Sequence, residues 1–128
     1  MAIVGIGIDL VQIDRLSAVA ERRGERFLDR VFTPAERAYC DRRGRTRFTH
    51  YAGRFAVKES AMKLLGTGWA HGVRWRDLEV LREPGQAPRL VFHGASRAHA
   101  DRLGIARVHI AITHDAGVAS AVAIGETA

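Results

Sequence analysis

Any fold of this chain must accommodate one long run, from Arg47 or Phe48 to Leu65, that reads as a helix apolar around most of its circumference. Phe48, Tyr51, Phe55 and Met62 recur at spacings of three, four and seven, and Val57, Ala61 and Leu64 widen the arc. Only Glu59, Ser60 and Lys63 are left on a narrow polar strip. A helix of this kind is stable only when buried over most of its surface, so the rest of the chain has to wrap it. Gly66 stands where a left-handed cap would end the helix, and Thr67-Gly68 continues as a flexible turn.

Glu59 and Lys63 are four residues apart and so are neighbours on the strip. Such a pair is ordinarily a solvated ion pair contributing a few tenths of a kcal/mol. Two features point instead to chemistry. Large apolar groups flank the strip, which places the charges in a cleft. And of the 20 Lys and Arg residues only Lys58 and Lys63 are lysine. Lysine is a compact point charge whose pKa shifts readily for proton transfer, whereas arginine stays charged.

The chain's 128 residues suit one domain, 1–128, large enough for a real core. The formal net charge of +6 suits an anionic partner: nucleic acid, an acidic protein, a phosphorylated small molecule or a membrane surface. The single cysteine, Cys40, excludes an internal disulfide and reads as a core filler beside Tyr39. No apolar run approaches membrane-spanning length and no leader pattern is visible, so the expected location is cytoplasmic.

Ile3 to Val11 reads as a first strand, with Ile6, Ile8 and Leu10 on one face and Gly5, Gly7 and Asp9 on the other. Two glycines on one face let another element approach closely. Asp9 beside that gap is either a cap or turn residue or, with a second carboxylate, half of a site for a hard cation. Asp14 is placed to cap a helix running to Arg23 and stopped by Gly24; Glu25 to Phe32 reads as a shorter helical piece. Arg15, Arg22, Arg23, Arg26 and Arg30 make this region basic: a solvated face or a partner surface. Thr33-Pro34-Ala35-Glu36 is a capping box with proline at the first helical position, and its helix is expected to reach Arg43.

Beyond Gly68, strands at Leu78–Arg82 and Arg89–Phe92 flank a Glu83-Pro84-Gly85 turn, and Ala95–Leu103 is a helix. Arg107–Thr113 alternates as a strand, His114 to Gly117 reads as a turn, and Val118–Ile124 is the last strand. The class is α+β, a mainly antiparallel sheet packed with the long central helix. No histidine or cysteine has zinc spacing. His114 differs from the other histidines in following Thr113 at a strand end, where loops carry ligand contacts.

Gly5-Ile6-Gly7-Ile8-Asp9-Leu10-Val11, then Arg54-Phe55-Ala56-Val57-Lys58-Glu59-Ser60-Ala61-Met62-Lys63, then Gly66-Thr67-Gly68 form an ordered set. With Phe32-Thr33-Pro34-x-Glu36, Gly85-x-x-Pro88 and Ile112-Thr113-His114-Asp115, it closely resembles the holo-(acyl carrier protein) synthases, the short 4′-phosphopantetheinyl transferases, over nearly the whole chain. Gln12 departs from the pattern, since many relatives carry an acidic residue there.

The resemblance implies Mg²⁺-dependent transfer of the 4′-phosphopantetheine arm of coenzyme A to a serine of an apo acyl carrier protein, releasing adenosine 3′,5′-bisphosphate. It implies Asp9 and Glu59 as metal ligands and Glu59, directly or through a water, as the base. It implies Lys63 beside the diphosphate, steadying developing charge or protonating the leaving group. Arg54, Lys58, Lys63, Gly66, Thr67, Gly68, Thr113 and His114 are implied coenzyme A contacts. Arg15, Arg22, Arg23 and Arg26 are implied to dock the acidic carrier, and the assembly implied is a homotrimer with active sites between subunits. An acidic carrier accounts for the basic charge without nucleic acid or membrane. The competing readings are a nucleic-acid-binding module, which lacks a recognisable motif, and a Mg²⁺-dependent phosphohydrolase using the same two carboxylates.

Overall fold

The computed structural model describes residues 1–68 and 70–128. The central helix forms as the periodicity requires, over Arg47–Leu65 (α4), and ends at Gly66, whose φ of 73° and ψ of 14° are the left-handed cap. Before it come β1 (Ile3–Gln12), α1 (Ile13–Arg23), α2 (Glu25–Val31) and α3 (Pro34–Asp41). After it come β2 (Leu78–Leu81), β3 (Arg89–Phe92), α5 (Gly94–Arg102), β4 (Arg107–Asp115) and β5 (Val118–Glu126). β1, β5 and β4 form an antiparallel sheet in that order, and β2 and β3 form a separate antiparallel hairpin. The α+β class with antiparallel pairing is as the sequence implies.

Small residues explain how α4 seats on the sheet. The inner face of the sheet carries Gly5 and Gly7 from β1 and Ala119, Ala121, Ala123 and Gly125 from β5. A β-carbon at Gly7 would lie 1.8 Å from the carbonyl oxygen of Ser60 and one at Gly5 would lie 2.9 Å from Leu64 Cδ1. Ser60 itself is buried, its hydroxyl donating to Ala56 O at 2.7 Å and Ala121 O at 3.0 Å, so it belongs to the helix–sheet contact rather than to a polar strip. From the other side, β4 approaches α4 at Gly53, where a β-carbon would meet Ile112 Cγ2 at 2.9 Å.

Strand alternation then sends the large residues outward. Ile6, Ile8 and Leu10 are 59%, 63% and 69% exposed, on a face they share with Val122 and Ile124 of β5. That face is uncovered in a single chain.

Three local expectations change. Asp14 lies in the first turn of α1; the N-cap is Gln12, because β1 runs straight into the helix. α3 stops at Asp41 rather than Arg43, and a 3₁₀ turn at Gly44–Thr46 makes the corner into α4. The last hairpin turns on Ala116 and Gly117 alone, with φ of 50° and 78°, so His114 and Asp115 remain in β4. The Thr33–Glu36 capping box forms in full.

Gly7→Ala is expected to destabilise the fold by at least about 1–3 kcal/mol, because the obstructing atom is backbone and cannot rotate away. Urea unfolding of the variant beside wild type measures it.

Candidate active site

β1 and α4 meet at Gly7 and Ser60, and two residues further along β1 Asp9 faces the polar strip of α4. Lys63 Nζ donates to Asp9 Oδ1 at 3.1 Å and to the carbonyl of Ile8 at 3.0 Å. The ammonium therefore serves β1, although the sequence pairs it with Glu59. Glu59 is half-buried on the same wall. Burial, then the neighbouring charge of Asp9, raises its pKa above the ordinary 4.5, with Lys63 opposing. A carboxylate that holds a proton more tightly than usual is a better base.

These three residues line a groove of about 550 Å³. Arg15 stands at its rim, and Leu16, Val19, Phe27 and Phe55 give it an apolar floor. Arg22, Arg23 and Arg26 are exposed on α1 and at the start of α2, continuing the basic surface away from the groove. Gly66, Thr67 and Gly68 follow three to five residues after Lys63; the amides of Gly66 and Thr67 close the helix on Lys63 O and Met62 O.

The oxygens of Asp9, Glu59 and Ile8 form a hard donor set, and an ammonium already bridges two of them. Two carboxylates suit Mg²⁺, which keeps several waters and shares phosphate oxygens rather than using an all-protein cage. Among the described residues no cluster of three or more His, Cys, Asp or Glu offers a softer or fuller metal cage.

Lys58 requires a correction. Its side chain is fully buried and its three protons are used within the chain, on Glu36 Oε1 at 2.9 Å, Trp75 O at 3.0 Å and Leu78 O at 2.6 Å. Burial lowers its pKa, with Glu36 opposing. Glu36 also accepts from the amides of Thr33 at 2.8 Å and Val80 at 2.9 Å. This ammonium cannot reach a coenzyme A phosphate; it fastens α3 and the segment leading into β2 onto α4.

Arg54 is also buried, but it is not used up. Its Nε has no hydrogen-bond partner among the described residues. Its guanidinium stacks 3.9 Å from the ring centre of Tyr39, which Arg43 also contacts at 4.1 Å. Arg82 reaches the Tyr39 hydroxyl at 3.5 Å. Burial would raise the Tyr39 phenol, yet Arg54, Arg43 and Arg82 outweigh it and lower its pKa. His50 is lowered too, by burial and then by Arg54, Arg43 and His114. These side chains form a cluster of positive potential. Arg43 and Arg82 give no signal in an arginine-rich sequence, and only the fold gathers them at Arg54.

Thr113 and His114 lie away from the Asp9 groove within one chain. Thr113 pairs with Ser120 and shares the outer face of the sheet, whereas Asp9 pairs with Ala121 on the inner face. His114 lines a separate hollow with Arg45, Phe48 and Thr49.

The family model for the 4′-phosphopantetheinyl transferase superfamily matches residues 5–119. This chain belongs to the 4′-phosphopantetheinyl transferase superfamily. The holo-[acyl-carrier-protein] synthase of Anaeromyxobacter dehalogenans is 53% identical over 127 residues, spanning 97% of this chain and 96% of the relative. The Neisseria meningitidis synthase superposes with a TM-score of 0.88 at 27% identity, over 98% of this chain and all (100%) of that one. The Helicobacter pylori synthase, solved in complex with coenzyme A, gives 0.81 at 31% identity over 94% of this chain and 99% of that one. This phosphopantetheinyl transferase is therefore an enzyme of the holo-[acyl-carrier-protein] synthase type, and the groove bearing Asp9, Glu59 and Lys63 is the strongest candidate for its active site.

Lys58→Met is expected to cost about 3–5 kcal/mol of stability by leaving the Glu36 charge buried and unpaired. Adding Glu36→Gln should recover much of that loss. Denaturation together with calorimetric binding of coenzyme A distinguishes this from a phosphate contact, which would weaken binding and spare stability.

Proposed function

We propose that this transferase moves the 4′-phosphopantetheine arm of coenzyme A to a serine hydroxyl of an acidic apo acyl carrier protein, with Mg²⁺, releasing adenosine 3′,5′-bisphosphate. The observation that carries the reading is the convergence of Asp9, Glu59 and Lys63 on one groove wall, with Lys63 Nζ 3.1 Å from Asp9. In the reaction the serine oxygen bonds to the phosphorus bearing the pantetheine. The bond from that phosphorus to the bridging oxygen breaks, and its electron pair leaves with the bisphosphate. Glu59, half-buried and raised in pKa, takes the serine proton directly or through a water. Lys63, on a flexible and half-exposed stem, offers an ammonium to the departing phosphate as counter-charge or proton donor. Asp9 and Glu59 would hold the cation, which supplies neutralisation of phosphate charge and alignment of the diphosphate.

Arg54, whose Nε has no hydrogen-bond partner among the described residues, and His114 are the proposed partners of a further coenzyme A phosphate, with Arg43 and Arg82 adding to the field. Thr113 and the Gly66–Gly68 backbone are proposed contacts to the nucleotide. Arg15, Arg22, Arg23 and Arg26 are proposed to dock the carrier, whose acidic surface they would steer towards the groove. The location proposed is cytoplasmic; no helix among the described residues is long and apolar enough to cross a membrane.

An apo carrier protein incubated with coenzyme A and Mg²⁺ is expected to gain one phosphopantetheine mass at a serine, read by mass spectrometry. Hydrolysis of coenzyme A with the carrier unchanged would mark a phosphohydrolase instead.

The assembly proposed is a homotrimer with the active site between subunits. Two observations support it: the open apolar face of Ile6, Ile8 and Leu10, and the placement of Thr113 and Asp9 on opposite faces of one sheet. Residues so separated can share a ligand only across a contact between copies. Light scattering at micromolar concentration is expected to give three times the chain mass, and a fully active monomer would overturn the shared site.

A further inference from the structure

We propose that Lys63 is a resident counter-cation of Asp9 which a divalent ion must displace, so that the site takes up the cation and the diphosphate cooperatively. The inference rests on Asp9 and Glu59 being the cation's ligands, as proposed above. The two oxygens that hold the ammonium are Asp9 Oδ1 at 3.1 Å and Ile8 O at 3.0 Å. Both are hard donors of the type a small divalent ion selects. On one carboxylate oxygen an ammonium and a divalent ion in contact compete, because their like charges repel.

The chain also lets Lys63 leave. Its side chain is 55% exposed, against 20% for Asp9, so it reaches down to the carboxylate from solvent. Moving it uncovers no core. Lys58 on the same helix is the contrast: fully buried, with three protein acceptors, it has nowhere to go. Within the groove, Arg15 is another cation, and it makes no ion pair with Asp9 among the described residues.

Displacement alone works against the cation, since Asp9 must lose one positive partner to gain another. A diphosphate changes the balance by giving the released ammonium new oxygens to bind. The cation then finds Asp9 free, and its own charge favours the diphosphate. Linkage makes the effect reciprocal, so each ligand tightens the other by the same factor. Coupling of this kind is typically about 5–150-fold.

Mn²⁺ serves as a paramagnetic probe, its free fraction read by electron paramagnetic resonance with and without coenzyme A and corrected for Mn²⁺ held by coenzyme A in solution. Wild type is expected to bind Mn²⁺ weakly alone and about 5–150-fold more tightly with coenzyme A. Lys63→Met, which keeps the length of the stem and removes the charge, is expected to bind Mn²⁺ alone on the order of 10-fold more tightly, within the same coupling range, and to gain less from coenzyme A. Arg15→Met should leave the affinity for Mn²⁺ alone near wild type. Equal Mn²⁺ affinity in Lys63→Met and wild type overturns the displacement. So does an equal gain in Arg15→Met, which would reveal a diffuse field rather than a contact. Mn²⁺ binding that is absent throughout, or unchanged by Asp9→Asn, overturns the metal reading itself and is distinguishable from both.

Discussion

The absence of a side chain at Gly7 is the constraint on which the rest depends. The backbone of β1 lies so close to α4 that a single β-carbon would lie 1.8 Å from the carbonyl oxygen of Ser60. Only at that separation can a short aspartate on the strand meet a lysine from the helix while Glu59 stays half-buried beside them. The approach is reinforced from the second strand, where the Ser60 hydroxyl reaches Ala121 O at 3.0 Å. A wider helix–sheet spacing, ordinary for larger residues, would draw the strand carboxylate away from the helix pair. The geometry of the groove is thus set by packing between two regular elements, which hold side chains more rigidly than loops do.

A second fastening fixes the other side of α4. Glu36 and Lys58 form a fully buried pair, and the remaining capacity of each is spent on backbone: two carbonyls for the ammonium, two amides for the carboxylate. A buried ion pair is weak evidence for net stability, since desolvation opposes it, but satisfied acceptors and donors make its geometry specific. The two lysines of this chain therefore divide their tasks by position on the helix. Five residues at 3.6 per turn separate them by roughly 140°. Lys58 points into the protein and Lys63 to the strand edge, while Glu59 and Lys63, about 40° apart, share the groove.

What the sequence made legible was local. The α4 period, its glycine cap, the Thr33–Glu36 box and the Glu83-Pro84-Gly85 hairpin are each fixed by residues within a few positions of one another. The polar strip marks Glu59 and Lys63, the glycine gap marks Asp9 and the family resemblance joins them, but their convergence depends on a contact spanning 54 residues that no periodicity reveals. The role of Lys58 is hidden for the same reason. Its partners lie 22, 17 and 20 residues away, so nothing beside it distinguishes a buried anchor from a phosphate ligand. Arg54 was singled out by its motif alone. The arginines that surround Tyr39 with it come from just after α3 and just beyond β2, segments that only the tertiary fold brings together.

The same rule that seats the helix also decides what the sheet presents outward. Strand residues alternate, so a stripe of glycine and alanine facing α4 obliges the bulky residues to take the opposite face. Ile6, Ile8 and Leu10 are outside because Gly5, Gly7 and Asp9 are inside. A β1 built to bring Asp9 to Glu59 therefore carries an apolar outer face as a geometric consequence, and a face of that character favours cover by a partner surface. Thr113 lies on that outer face and Asp9 on the inner one, so a contact that covers the first can carry Thr113 towards the Asp9 groove of a neighbouring copy. In this chain the close helix–strand packing and the exposed apolar face have one origin, the small residues of β1 and β5.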